Sequence, residues 1–584
     1  AQTLIKHFNW LKENGYNVIS WQQVIDAENG KGTLPDNAVL LSFDDGYETM
    51  YNVVFPLLKA YNYPAVFAPV TGWLDTPANQ KIAYADKMLD RSVFATWSQV
   101  KEMEQSGLVE VASHTHNLHN GINANPSGGQ LPAVIAPEYK NGKYETEDAY
   151  KNRLKSDFAH TVQTLVNHIG KKPRVMVWPY GQFNDVAVQI ARQAGMPHYF
   201  SLGEKIVNKV GDKHIGRLLL NAETDLNTVK NYLDGIDESK QIQRVVHVDL
   251  DYVYDANKAQ QAKNLDKLID RIYRYGVTTV YLQAFSDPDG DGVADALYFP
   301  NKYLPVRDDI FGRIAWQLQT RAGVKVYAWM PVLAFDLRKS VKEAEYVIDS
   351  RTGKPSTKAY LRLSPYNKQN VEIIKSIYND LSFYAKFNGI LFHDDAFLTD
   401  FEGAEGNHAE GMVSPQAKQK TQDLIQLTHQ LTDALKPYFL RGSYSLKTAR
   451  NLYASVITNP NAEEWLAQNL KTLTDNYDTT AIMAMPYMEN EQPISQEEAY
   501  QWFSSLIENV KAQAPLDKVL FEFQAVNWRT QKPIPESELI DWMKLLQKNH
   551  IYSYGYYPDN FLTNQPDLNK MKPYFSVNTN VGKP

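Results

Sequence analysis

Seven times between residues 245 and 559 the chain runs through a short apolar stretch rich in β-branched and aromatic residues. The stretches are VVHVDLDYV (245–253), TTVYLQAF (278–285), KVYAWMPVL (325–333), NGILFHDDA (388–396), AIMAMPYM (481–488), KVLFEFQAV (518–526) and IYSYGYYPD (551–559). Amphipathic segments such as NLDKLIDRIYRYG and EEWLAQNLKTLTDNY separate most of them. A strand that leads into a helix returns to the sheet in its original direction, so this alternation builds a parallel sheet. Seven strands approach the eight that close a (β/α)8 barrel, the TIM-like fold, and residues 244–584 are expected to form one.

The first part of the chain alternates in the same way. A helical LIKHFNWLKENGY, with Leu4, Phe8 and Leu11 as its stripe, precedes the strand-like NVISW. Ala38–Phe43, PAVFAPV, Val109–Ser113, Arg174–Trp178 and His198–Ser201 follow, with helical MYNVVFPLLKAY and DVAVQIARQAG among them. The polar, glycine-bearing segment Asp234–Gln243 reads as a linker. The expected class is therefore α/β in two domains, 1–238 and 244–584.

Composition narrows the function. A net charge of −7 argues against a nucleic-acid partner, which calls for a basic face. With no cysteine, disulfides, thiol catalysis and Cys-ligated zinc are excluded. No apolar run approaches the ~20 residues of a membrane helix, and no signal-peptide pattern opens the chain. The 36 Tyr and 11 Trp fill a core or offer faces on which sugar rings stack.

Three local motifs carry chemistry. Ser42-Phe43-Asp44-Asp45-Gly46-Tyr47 sets two adjacent carboxylates at the end of an apolar strand, where a glycine lets the chain turn. Neighbouring side chains at a strand end can enter different parts of one cleft, so one carboxylate binds a metal ion while the other takes a proton. Asp-Asp-Gly is equally an ordinary turn. Ser113–His119 then concentrates three of the 13 histidines in a short span after another apolar strand. Aspartate with two histidines is a common open site for a divalent ion. The interval from His114 to His119 does not fit one helical face, so the ligands are expected on a loop, with His116 an alternative by spacing alone. The third motif, Val177-Trp178-Pro179-Tyr180-Gly181, is either a strand ending in a Pro–Gly turn or a fixed backbone N–H for an oxyanion.

These motifs, in this order, resemble those of the NodB-type polysaccharide deacetylases, carbohydrate esterase family 4. The resemblance implies a (β/α) barrel-like deacetylase domain over 1–238. Asp44 would be its general base, Asp45, His114 and His119 its metal ligands, and the Tyr180 backbone N–H its oxyanion donor. With FSDPDGDG, GILFHDDA and SYGYYPDNF in the second half, the whole chain is similar to the PgaB-type poly-β-1,6-N-acetyl-D-glucosamine N-deacetylases, whose second domain is related to glycoside hydrolase family 153. That family implies metal-dependent release of acetate from poly-β-1,6-N-acetyl-D-glucosamine, a biofilm polysaccharide. It implies one divalent ion, with Zn, Fe, Co and Ni all suited. It also implies a periplasmic monomer, an outer-membrane lipid anchor upstream of Ala1 and an export porin as partner.

Some family features are missing or altered. The general family spaces its metal histidines four apart, whereas the PgaB-type branch has the wider interval found here. The third motif carries Val177 where an Arg that orients the base is usual. The late Leu-x-His that supplies an acid has only Leu219-Leu220-Asn221 as its nearest run, which leaves the acid unassigned. The family's opening strand with its His-Asx pair is expected upstream of Ala1. These differences leave a second class of function open: a carbohydrate-binding or export module whose deacetylase half is weak or inactive.

Deacetylation turns a neutral sugar into a cation, and acids with aromatics at strand ends suit that product. Asp394 and Asp395 end a strongly apolar strand and are the leading catalytic candidates. Glu489 and Glu522 are the next carboxylates, since glycoside cleavage commonly uses two. Asp249, Asp251 and Asp559 add charge, and Tyr252, Trp329, Tyr487, Trp528, Tyr556 and Tyr557 are candidate platforms. The alternative is a groove that binds polymer without cutting it. Asp287–Asp295 spaces its aspartates like the start of a calcium loop, but Tyr298 stands where the bidentate Glu belongs, and an acidic rim loop is the preferred reading.

Overall fold

The computed structural model describes residues 1–203, 207–234, 242–356, 360–402, 413–442 and 445–577. The chain divides into two compact units, residues 1–238 with 440–445, and residues 239–439 with 446–584. Most of the expected linker Asp234–Gln243 lies outside the described residues. No helix among the described residues is long and apolar enough to cross a membrane.

The first unit is built on parallel strands. A four-stranded sheet has the order Asn17–Ile19, Ala38–Asp45, Ala65–Pro69 and Val109–Val111. A three-stranded sheet has the order Val175–Val177, His198–Leu202 and His214–Arg217. A parallel bridge between Ser113 and Met176 joins the two. Ala65–Pro69 is wholly buried, as a parallel strand covered on both faces must be. Its alternate residues serve two cores: Ala65 and Phe67 pack with Phe94, Val111 and Leu165, while Val66 and Ala68 pack with Trp21, Val177 and Phe200. The register Asp44 to Ala68 and Asp45 to Pro69 sets both carboxylates at the C-terminal edge of the sheet.

The second unit is a closed eight-stranded parallel barrel. Its strands are Arg244–Val248, Thr279–Gln283, Lys325–Met330, Gly389–Phe392, Lys447–Tyr453, Thr479–Met483, Val519–Gln524 and Tyr554–Tyr557, and the last pairs with the first. Seven of these correspond to the apolar stretches of the sequence. The eighth, Lys447–Tyr453, escapes detection because Lys447, Arg450 and Asn451 interrupt its apolar pattern. In the folded unit Arg450, turned outward, and Asn451, turned into the barrel, both find partners. Arg450 donates to the Tyr477 hydroxyl (2.9 Å) and to the Ala396 carbonyl (2.9 Å), and Asn451 Nδ2 donates to Glu522 (2.8 Å).

This interior corrects three assignments made from strand ends. Glu522 is buried within the barrel, held by His247 Nε2 at 2.6 Å as well as by Asn451, so it is a structural anchor and not a cleft acid. Asp559 is fully buried and accepts from Arg271 Nη2 (2.7 Å) and Nε (2.9 Å) and from the Tyr556 hydroxyl (2.6 Å). Tyr556 is likewise core, not a sugar platform. Removing one member of a buried, hydrogen-bonded ion pair leaves the other charge desolvated and costs about 3–5 kcal/mol. We therefore expect Asp559→Ala to lower the unfolding free energy of the barrel unit, measured by denaturant titration, by about 3–5 kcal/mol. An Asp559→Ala protein of unchanged stability that had lost only sugar binding would restore Asp559 to the cleft.

Candidate active site

Asp44 and Asp45 are neighbours on one strand and face different partners. Asp45 Oδ1 lies 3.3 Å from His114 Nε2 and 3.3 Å from His119 Nε2. The three residues bring one ligand atom each within 4.8 Å of one another. Tyr84 donates its hydroxyl to Asp45 Oδ2 at 3.0 Å. His114 is buried, and its Nδ1–H donates to the Val177 carbonyl at 2.7 Å, which turns the Nε2 lone pair toward Asp45. His119 sits among the rings of Trp73, Tyr84 and Tyr180. His116 is not part of this cluster. Its Nδ1 bonds the Thr71 hydroxyl (2.9 Å) and its ring stacks on His160.

Asp44 is gripped by one cation. Arg217 Nη1 and Nη2 donate to its two oxygens at 2.8 and 2.9 Å, and Nη1 also reaches the Ser42 hydroxyl. Burial pushes the Asp44 carboxyl up, but the Arg217 charge and hydrogen bonds outweigh it and hold the group below its ordinary range. Burial acts against Asp45 too, and there the hydrogen bonds and charge that His114 and His119 carry when protonated prevail and hold this carboxyl down as well.

The loops that meet here are strained where they turn. Asp45 (φ 72°), Thr115 (φ 70°) and Tyr180 (φ 58°) are non-glycine residues in the left-handed region, at about 1–3 kcal/mol each. The surroundings hold them. Asp157 accepts the backbone N–H of His116 (2.9 Å) and Asn117 (2.7 Å). Gly181 (φ 68°) has no room for a side chain, since a Cβ there would meet the Leu202 nitrogen at 2.5 Å.

The barrel mouth holds the second group of candidates. Asp394 accepts from the Tyr360 hydroxyl (2.9 and 3.0 Å) and the Tyr453 hydroxyl (2.9 Å), and His393 Nε2 lies 3.0 Å from its Oδ1. His393 is in turn fixed by Trp329, whose indole N–H donates to Nδ1 at 2.8 Å. Glu489 accepts the backbone N–H of Ala454 and Ser455, yet burial pushes its carboxyl up to about 7, and the charge of Asp394 adds to this. Asp249 is buried with Oδ1 unpaired and Oδ2 at 3.3 Å from the Tyr557 hydroxyl, and burial with the Asp251 charge pushes it up to about 7. Tyr252 lies beside Asp249, and Trp528 and Trp329 flank Tyr557.

Other strand-end residues have structural jobs. Asp395 is fully buried, and its oxygens accept the backbone N–H groups of Val332, Leu333 and Ala334, so it clamps a loop and is not available for catalysis. Asp251 is consumed by Arg307, Tyr298, Ser286, Gln283 and the Asp287 backbone. Tyr298 is engaged by Asp251, while the Asp287, Asp289 and Asp291 carboxylates do lie together. Tyr487 gives its hydroxyl to Glu538.

Comparison with known proteins assigns both units. Residues 31–199 match the polysaccharide deacetylase family, and residues 247–557 match a family described as hypothetical glycosyl hydrolase family 13. The chain is 41% identical over 603 aligned residues to the poly-β-1,6-N-acetyl-D-glucosamine N-deacetylase of Escherichia coli strain K12, covering 99% of this chain and 88% of that protein. The chain belongs to the PgaB-type N-deacetylase family. The glycoside hydrolase domain of Bordetella bronchiseptica PgaB (BpsB) is similar to this chain with a TM-score of 0.53 and 38% identity, over 58% of this chain and all of that one. A de-N-acetylase structure from Aggregatibacter actinomycetemcomitans is 68% identical over 39% of this chain and 87% of its own, with a TM-score of 0.39.

Within this PgaB-type family the geometry accounts for the absent motif arginine. Val177 occupies its place and contributes a carbonyl to His114, while Arg217, from the unpredicted strand His214–Arg217, supplies a guanidinium to Asp44. Only one residue of that strand, Ile215, is a large aliphatic, so no apolar pattern marks it. His393, Tyr360 and Tyr453 likewise carry no spacing signal.

The Asp45 cluster fits a divalent ion. Two donors about 2.0–2.1 Å from a tetrahedral ion stand about 3.4 Å apart, close to the 3.3 Å found from Asp45 to each histidine. We expect Asp45→Ala to lose stoichiometric divalent-ion binding by calorimetry and His116→Ala to retain it. Equal loss in both variants would contradict the ligand set.

Proposed function

We propose that the first unit removes acetyl groups from N-acetylglucosamine units of poly-β-1,6-N-acetyl-D-glucosamine, and that the barrel binds and cleaves the partly deacetylated product. The observation that carries the first half is the split of two adjacent carboxylates between an arginine and a pair of histidines. Relatives that bear this substrate in their names support the polymer. The family's periplasmic setting, lipid anchor and porin partner belong to the same reading.

Asp45, His114 and His119 would hold the divalent ion, which supplies Lewis acidity toward water and the acetamide carbonyl. Asp44, ionised through Arg217, accepts a proton from water as its oxygen bonds to the carbonyl carbon. The backbone N–H of Tyr180 donates to the carbonyl oxygen as negative charge develops there. The C–N bond then breaks. The departing nitrogen needs one proton, and the newly protonated Asp44 carries it, so acetic acid and an amine result, which at neutral pH pass one further proton from acid to amine and leave as acetate and ammonium. Trp73, Tyr84 and Tyr180 surround His119 and restrict bulk water.

In the barrel, Asp394 is kept oriented by Tyr360, Tyr453 and His393, and Glu489 is the proton donor, because a carboxyl with a pKa of about 7 is still partly protonated near neutrality. The other carboxylates in reach of the mouth attract the amines of the substrate.

Acetate release from N-acetylglucosamine oligomers tests the first half. Asp44→Asn should retain the ion and lose at least about 100-fold in rate, the usual contribution of a general base. Arg217→Met removes the group that holds the Asp44 carboxyl down. The base then protonates at higher pH, and the acidic limb of the rate profile moves upward. An unmoved limb would detach Arg217 from the base. For the barrel, Asp394→Asn should stop chain cleavage and leave acetate release intact, and wild-type cleavage should fall as pH rises through about 7, where Glu489 loses its proton. Cleavage that rises through that range would exclude Glu489 as the donor.

A further inference from the structure

Trp329 and His393 belong to neighbouring barrel strands and share one face. Trp329 pairs in register with Leu391, and His393 lies two residues beyond Leu391, so the pleat turns both side chains into the barrel. The pairing continues past the strand end, where the His393 N–H donates to the Met330 carbonyl at 3.0 Å. Trp329 is enclosed there. It is 5% exposed, and the rings of His247 (5.2 Å), Phe285 (5.5 Å) and Tyr557 (5.4 Å) meet it edge to face. His247 is itself tied to Glu522, so the indole is seated against a fixed neighbour. An indole so enclosed has no open face for a sugar ring, which corrects the platform role expected of Trp329 from its place at a strand end.

Hydrogen-bond chemistry decides what the indole does instead. Its N–H is a donor only, and it points at His393 Nδ1 from 2.8 Å. Nδ1 therefore presents its lone pair. A ring with a bare Nδ1 is neutral and carries its one proton on Nε2, the nitrogen that lies 3.0 Å from Asp394 Oδ1. A second proton could enter only at Nδ1, where the indole hydrogen already stands. This matters for Asp394. The transition state of glycoside cleavage is oxocarbenium-like and places positive charge on the sugar. A carboxylate stabilises that charge, whereas an imidazolium 3.0 Å from the same carboxylate would offset much of its field. A neutral ring and the Tyr360 and Tyr453 hydroxyls surround Asp394 without adding a formal positive charge.

We propose that Trp329 is a positioning residue for chain cleavage: its indole N–H locks His393 as the neutral Nε2–H tautomer and so keeps a formal positive charge away from Asp394. The inference rests on the reading that the barrel cleaves the partly deacetylated polymer with Asp394. It assigns Trp329 to the rate of the bond-breaking step and not to the holding of a sugar unit. Loss of the indole N–H then lowers kcat and leaves KM in place.

The test uses the full chain. Nitrogen NMR of histidine-labelled protein, with the His393 signals identified by their loss in His393→Phe, reads the protonation of each ring nitrogen. The wild type near neutral pH should show a bare Nδ1 and a protonated Nε2, and Trp329→Phe should lose that fixed pattern. Chain cleavage is then followed on partly deacetylated N-acetylglucosamine oligomers. Trp329→Phe should lower kcat about tenfold, the worth of one neutral hydrogen bond, with KM within about twofold of the wild type. Because the effect passes through His393, the same substitution should add less than about twofold in a His393→Phe background. A raised KM at unchanged kcat would make Trp329 a platform and overturn the proposal, as would no change in either. An undiminished loss in the His393→Phe background would also overturn it, since the indole would then act by packing. A proton on His393 Nδ1 in the wild type overturns it without recourse to any Trp329 variant. A wild type that cleaves no oligomer would instead bring down the cleavage reading, and the His393 nitrogens would still decide whether the indole holds the tautomer.

Discussion

The deacetylase centre depends on one constraint: Asp44 and Asp45 are consecutive on a strand, so they must leave the sheet edge in different directions. Each direction meets a partner of a different kind. Arg217 fills one with a fixed positive charge and a two-pronged hydrogen bond, which orients Asp44 and keeps it ionised. His114 and His119 fill the other with neutral nitrogen donors spaced for an ion. Exchange of the two partners would give an acid with no base and a metal cluster with a competing cation. The left-handed Asp45, Thr115 and Tyr180 are the local cost of bringing three loops onto this strand end, and the buried Asp157 and the side-chain-free Gly181 hold them there.

The barrel sorts its acids by the same physics. A buried carboxylate persists only if donors replace the water it lost. Asp395, Asp251, Asp559 and Glu522 have that replacement in full from backbone N–H groups, arginines or histidine, and they stabilise loops and barrel walls. Asp249 and Glu489 do not, and burial raises both toward neutrality. Asp394 is held by hydroxyls and a histidine that can exchange for substrate. The incompletely satisfied acids are thus the ones that gather at the mouth.

Periodicity made the architecture legible, because parallel strands buried on both faces must be apolar, and seven of the eight barrel strands obey. Lys447–Tyr453 does not, since its polar residues point at partners that exist only after closure. The cluster of Asp45, His114 and His119 was legible because Asp-Asp-Gly and the histidine run are local in sequence. Arg217 was not. It lies 173 residues from Asp44, and only the parallel register brings it back. Strand-end position also misled: it marks which residues reach the rim of a barrel, not whether a neighbour has already claimed them, as with Asp395 and Asp559.

In the proposed mechanism the Asp45, His114 and His119 cluster works as a metal centre, with Asp44 as its base. Acetate release from an N-acetylglucosamine oligomer, measured after exhaustive chelation and during stepwise return of a divalent ion, addresses it directly. Activity should vanish on chelation and return in full at one equivalent of ion per chain. Full activity in the chelated protein, or recovery that needs no ion at this cluster, would contradict it.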